Sequence, residues 1–325
     1  MSSRGRLRRY IPFVVGLLLV AAGFWQQQNI RDWVQLYGYN APTPVVQLAD
    51  DVQLTPQARR LFYVNHPAMQ DRSSFNVSCS SRGEHTIILG CYHPVDRGIY
   101  VFNVTDSRLQ GIDQVTVAHE MLHAGYDRLS SRERSRVDAM LLNFYNTRLT
   151  DQRIKSVIDT YRKTEPNDVT NEMHSVFGTE VGTLTPELET YYKRYFIDRA
   201  KVVQYASDYQ AEFTTRQNQV TAYDTQLETM KNQIDSNNAQ LKTQEVQITA
   251  FRKQMDAKRS SGDIAAYNNN VPIYNRQIDA YNALIIKTRN LISSYNQLVV
   301  TRNQLALQVT DLAHSIDSSY QQINQ

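Results

Sequence analysis

At 325 residues the chain exceeds the about 100–200 residues that one core usually serves, and its turn residues are unevenly spread. Of 12 Gly and 9 Pro, only Gly262 and Pro272 fall after residue 200, which excludes an ordinary α/β domain from that tail. The formal charge of +3 is carried by Arg4, Arg6, Arg8 and Arg9; without them 31 basic residues stand against 32 acidic ones. No basic field remains for counterion release, so nucleic acid is not an expected partner.

After the arginines, Tyr10 to Trp25 reads YIPFVVGLLLVAAGFW without a charge. Sixteen helical residues span about 24 Å, slightly less than a hydrocarbon core of about 30 Å. With a basic flank and aromatic ends, residues 1–25 predict a single-pass anchor, N-terminus cytoplasmic and body extracytoplasmic. The rival is a signal peptide cleaved near Val20-Ala21-Ala22, which would leave the body secreted. In an oxidising compartment the only two cysteines, Cys79 and Cys91, would pair as a disulfide; the alternative is two buried thiols.

Residues 26–54 read as a short helix and then a stalk through Ala41-Pro42-Thr43-Pro44. Thr55-Pro56 caps a helix that His66-Pro67 stops. Two β-rich runs, Thr86 to Tyr92 and Gly98 to Val104, form a candidate hairpin. Helical spacing follows over Val115 to Leu129, with Val115, Val117, Ala118, Met121 and Leu122 on its buried side. Ser130 and Glu133 make a capping box for a helix over about 131–146. Asn167 or Asp168 caps another that Gly178 ends, and Thr185-Pro186 opens the last.

His119-Glu120-Met121-Leu122-His123 carries the chemistry. Residues i and i+4 share a helical face, so both imidazoles can bind one Zn²⁺ while Glu120 reaches a metal-bound water as general base. A third protein ligand is needed. Tyr126 and Leu129 stand where the metzincin continuation needs Gly and His, which excludes that class. Asn171-Glu172-Met173-His174-Ser175 offers Glu172 on a predicted helix, with Glu180 and His174 as alternatives. His66, His85, His93 and His314 read as surface or turn residues.

The HExxH helix followed by Asn171-Glu172 and Ser175 resembles the gluzincin metallopeptidases, whose second zinc helix carries an Asn-Glu pair and a Ser three residues on. The runs Leu89 to Tyr92, Ile99 to Phe102 and Val115 to His123 look like a compact core of that family, covering about residues 55–200. The thermolysin-like branch places an Asp after the Ser to orient a zinc histidine; Val176 stands here, so that support comes from elsewhere. The resemblance implies a peptidase using zinc, Glu120 as base and a sheet edge, Gly98 to Val104, along which extended peptide adds. His174, Tyr191 and Tyr192 are the candidate donors to the oxyanion.

From residue 206, Ala206, Phe213, Val220, Leu227, Ile234, Leu241, Ile248 and Met255 recur every seven positions, interrupted in the seam by Asn237 and Gln244. Lys258 to Asp263 breaks the helix, and a second register runs from Ile264 to Ala313 with Tyr267, Tyr274, Tyr281 and Tyr295 three positions on. Pro272 kinks this second helix or marks its start. Residues 201–325 therefore predict an antiparallel coiled-coil hairpin with arms of about 80 Å, or helices that associate between chains.

The expected fold class is α+β: a zincin-like domain with a small sheet and an HExxH helix, then a long α-helical hairpin. The expected function is a membrane-anchored zinc peptidase acting on peptide or protein substrates. The alternative is a cell-envelope scaffold with a structural or inactive zinc site and a coiled-coil arm for a protein partner or self-association.

Overall fold

The computed structural model describes residues 26–79, 88–95 and 98–320. They are mostly helical with one three-stranded sheet, which is α+β in coarse terms. The described residues form two compact units, those up to Ala211 together with those from His314, and Glu212–Ala313.

The first unit opens with helices α1 (Gln27–Leu36) and α2 (Thr43–Asp51). A stalk is expected here, but Val45, Leu48, Ala49 and Val52 are core residues, because α2 presents them on one face to α5. Thr55 caps α3 (Pro56–Val64), its hydroxyl accepting from the Ala58 amide at 3.1 Å. Then come β1 (Ala68–Gln70), α4 (Arg72–Ser78), β2 (Gly90–His93) and β3 (Gly98–Phe102). The hairpin of β2 and β3 forms antiparallel, with Cys91 opposite Tyr100, and β1 joins the other side of β3 in parallel. The expected edge strand is thus the centre of the sheet, and β2 is the strand beside the HExxH helix with no strand on its outer side among the described residues. The expected disulfide joins Cys79, at the end of α4, to Cys91 on β2.

Helix α5 (Ile112–Asp127) carries the HExxH sequence, and its Val115, Val117, Ala118, Met121 and Leu122 are buried. The Ser130–Glu133 capping box is formed at the start of α6 (Ser131–Thr147). An unanticipated helix, α7 (Gln152–Thr164), precedes α8 (Val169–Glu180), and Thr185 caps α9 (Pro186–Tyr192). Gly178 does not end α8. A Cβ there would lie 2.5 Å from Leu122 Cδ1, so this glycine lets the two site-bearing helices approach. After the second unit the chain returns at His314: Arg72 donates to the His314 carbonyl at 3.2 Å, and Asn76 to that of Ser318 at 2.8 Å.

The second unit is an antiparallel hairpin made of α10 (Arg199–Ser260) from Glu212 onward and α11 (Ile264–Ile316) up to Ala313, turning at Gly262 with φ 79°. Pro272 lies inside α11 and does not begin it. Across the hairpin, Arg302 Nε donates to Asp224 at 2.8 Å.

The membrane anchor requires correction. Among the described residues no helix is long and apolar enough to cross a membrane. Tyr10 to Trp25, which suggested one, lies outside them, so membrane attachment and the orientation derived from it play no part in the reading below.

Candidate metal centre

One turn of α5 separates His119 from His123, and their rings lie 4.7 Å apart between centroids. Against them α8 sets Glu172, with Oε2 3.7 Å from His119 Nε2 and Oε1 3.5 Å from His123 Nε2. Ligands at 2.0–2.1 Å around a tetrahedral zinc are about 3.3 Å from one another, so this donor set fits one divalent ion after small side-chain adjustments. Glu172 is 6% exposed, and its Oε2 is buried without a hydrogen-bond partner. Such an orphaned carboxylate oxygen is costly unless a cation meets it.

The charges of the site point the same way. Burial pushes the Glu172 carboxyl up, but the imidazoles of His123 and His119 overcome this and hold it below the usual range. Burial opposes charge on His119, yet the carboxylates of Glu172, Glu120 and Glu180 outweigh it and raise that pKa to about 9. Three carboxylates therefore compete for too little positive charge.

His123 Nδ1 is 2.9 Å from Asn171 Oδ1, and the Asn171 amide donates to Asp168 Oδ2 at 2.9 Å. With Nδ1 as donor, the Nε2 lone pair of His123 faces Glu172 and is free to ligate. Asn171 thereby provides the support that Val176 cannot. Glu120 points from α5 beneath β2: a Cβ on Gly90 would meet Glu120 Cγ at 2.7 Å and Oε1 at 2.8 Å, so only glycine leaves room for this carboxylate.

These residues line a cavity of about 590 Å³ together with Gly90 to Val95, Tyr161, Glu165 and Asp168. The disulfide and His93 also face it. His174, Tyr191 and Tyr192 do not. His174 is fully buried, with its Nε2 2.8 Å from the Tyr191 hydroxyl, while the Tyr192 hydroxyl donates to the His174 carbonyl at 2.7 Å. Burial first, then the neighbouring His123 and Arg194, hold His174 well below the usual imidazole range. These three are committed to the core.

Tyr161, in contrast, lines the cavity. Its phenol is pushed well above the usual range, by burial first and then by the carboxylates of Glu172 and Glu120, so it remains a donor. Glu180, the rival third ligand, instead accepts from Arg153 at 2.7 Å and Gln210 at 2.8 Å.

Comparison with protein-family models, curated proteins and solved structures found no match to this chain. The likeness to gluzincins rests on the motif residues of the sequence alone.

Proposed function

We propose that the chain is a zinc-dependent peptidase of gluzincin type, with His119, His123 and Glu172 as ligands and Glu120 as general base. The observation that carries this reading is the buried Glu172 carboxylate, its Oε2 without a hydrogen-bond partner, set against two imidazoles on one helical face. Zinc held there supplies a Lewis acid for the peptide carbonyl and lowers the pKa of water. Glu120 accepts the proton of the attacking water and passes it to the leaving amine. Tyr161 donates a hydrogen bond to the carbonyl oxygen as negative charge develops. Extended peptide lies along the outer edge of β2, in place of the strand expected from sequence.

A second reading, a scaffold with a structural metal site, draws support from the hairpin. Ile286, Val300 and Leu307 of α11 are exposed at heptad spacing and suit a protein partner or a second copy. Metal content and peptide cleavage separate the two readings. The peptidase carries one zinc per chain, and Glu120→Gln lowers kcat by about 10²–10⁴-fold while the zinc stays bound. Wild-type protein that holds zinc and cleaves nothing in a broad peptide library is the scaffold instead.

A further inference from the structure

The disulfide is part of the cleft wall. Cys79, 8% exposed at the end of α4, is joined to the half-buried Cys91 of β2, and both line the cavity that holds the two histidines and the two glutamates. Cys91 follows Gly90, whose missing Cβ leaves room for Glu120. β2 pairs with β3 on one side, and no strand covers its outer edge among the described residues.

Alternation along the strands divides the side chains of this hairpin between two cores. Tyr92, Ile99 and Val101 pack in the main one, whereas Cys91, Tyr100 and Phe102 join Phe75 and Cys79 in a small separate cluster. The disulfide is the covalent member of that small cluster and ties β2 to α4. The metal ligands do not depend on it: His119, His123 and Glu172 stand on α5 and α8, which pack directly against each other where Gly178 meets Leu122. Next to the disulfide, His93 Nε2 lies 3.5 Å from Cys91 Sγ. A hydrogen bond from an imidazole to sulfur favours thiolate over thiol, which speeds both the release of Cys91 from a mixed disulfide and its return to the bond.

We propose that the Cys79–Cys91 disulfide is a reversible redox control on the cleft: oxidised, it holds β2 beside Glu120; reduced by a dithiol, it frees β2 while the metal centre stays assembled. A thiolate of the dithiol attacks the more accessible sulfur, Cys91 Sγ, and the S–S bond breaks with its electron pair going to Cys79. The second thiol then closes the dithiol to a disulfide and expels Cys91 as a thiolate beside His93. Two electrons and two protons pass from the dithiol to the two cysteines. The effect on cleavage rests on the peptidase reading; the loosening of β2 does not.

The test compares the full-length zinc-loaded protein in its oxidised form, after reduction with tris(2-carboxyethyl)phosphine, and after re-oxidation. The phosphine replaces the dithiol to avoid chelation and ends as its oxide, with oxygen taken from water. Reduction should speed amide exchange across Gly90–His93 about tenfold and lower kcat/KM by a similar factor, leave one zinc per chain, and reverse on re-oxidation. The Cys79→Ala/Cys91→Ala protein should show the reduced values with and without phosphine. Exchange and cleavage that survive reduction overturn the proposal. So does zinc lost together with the disulfide, which makes the bond a structural staple of the metal site. Oxidised protein that cleaves nothing sinks the peptidase reading, and faster exchange in β2 with zinc retained then still supports the redox control; steady cleavage in both forms does the reverse.

Discussion

The two units of this chain bury different things. Around α5 and α8 the first unit buries two carboxylates, Glu120 and Glu172, among apolar side chains, with Gly90 leaving room for Glu120 and a short relay through Asn171 to Asp168 orienting His123. In the second unit only Asn237, Met255, Thr288 and Leu312 are buried, and two of those four are polar. The contrast separates what a reaction needs from what an arm needs. A buried charge costs free energy unless its surroundings over-determine its place, whereas a heptad seam needs only register, which a polar residue can supply at a cost in stability.

The largest effect that would sharpen this comparison comes from one methyl group. Gly90→Ala places a Cβ 2.7 Å from Glu120 Cγ and from Thr116 Cγ2, with the β2–β3 pairing opposing retreat. Glu120 is the proposed base and not a ligand, so kcat/KM should fall about 100-fold with zinc content unchanged. Alanine at an exposed position of α11, such as Ile286→Ala, should leave both quantities as they were. A Gly90→Ala protein with full activity would mean that the cleft is soft, and the contrast between the units would fail at its most specific point.

Much of this arrangement is legible in the sequence, for local reasons. The i, i+4 spacing of His119 and His123 fixes a shared helical face, Ser130 with Glu133 announces a helix start, and heptads announce a seam. The Asn-Glu pair at 171 and 172 supplies both the carboxylate against the histidines and the amide that orients His123. His174 could have been set aside on geometry alone, since two residues at about 100° each carry it to the far side of the helix from Glu172. Tyr161 was not legible, because its role depends on how α7 packs beside α8. Nor was the central place of β3, since its parallel partner β1 is three residues long and distant in sequence.

A second test removes the metal. In zinc-free protein His119 is raised from 6.5 to about 9, so the fold gains stability from the charged imidazole. That contribution is complete below about pH 6.5 and is lost as the pH rises through about 9. Urea melts of metal-free protein should therefore weaken across this window, and zinc-loaded protein, whose His119 is held neutral by ligation, should not follow. The hairpin supplies the internal control: Asp224 is shifted below its usual range and Lys231 and Arg302 above theirs, all outside the window. A slope that persists with zinc bound would show that His119 does not ligate.

The smallest effect belongs to the second unit and has the opposite sign. Asn237 is 3% exposed; its Oδ1 accepts from Gln233 at 2.9 Å, while its Nδ2 has no partner. A buried amide nitrogen left without an acceptor costs about 1–3 kcal/mol. Asn237→Leu removes that donor and extends the apolar seam between Ile234 and Leu241, so it should stabilise the hairpin by about 1 kcal/mol, read as a higher melting temperature of the helical signal. The cost should appear in register, detected as a broader set of distances between spin labels on α10 and α11. Cleavage and zinc content should not change, because nothing in the seam around Asn237 contributes a donor to the cleft. If Asn237→Leu instead lowers the melting temperature, its amide is part of a satisfied network, and the hairpin is as closely specified as the unit that holds the histidines.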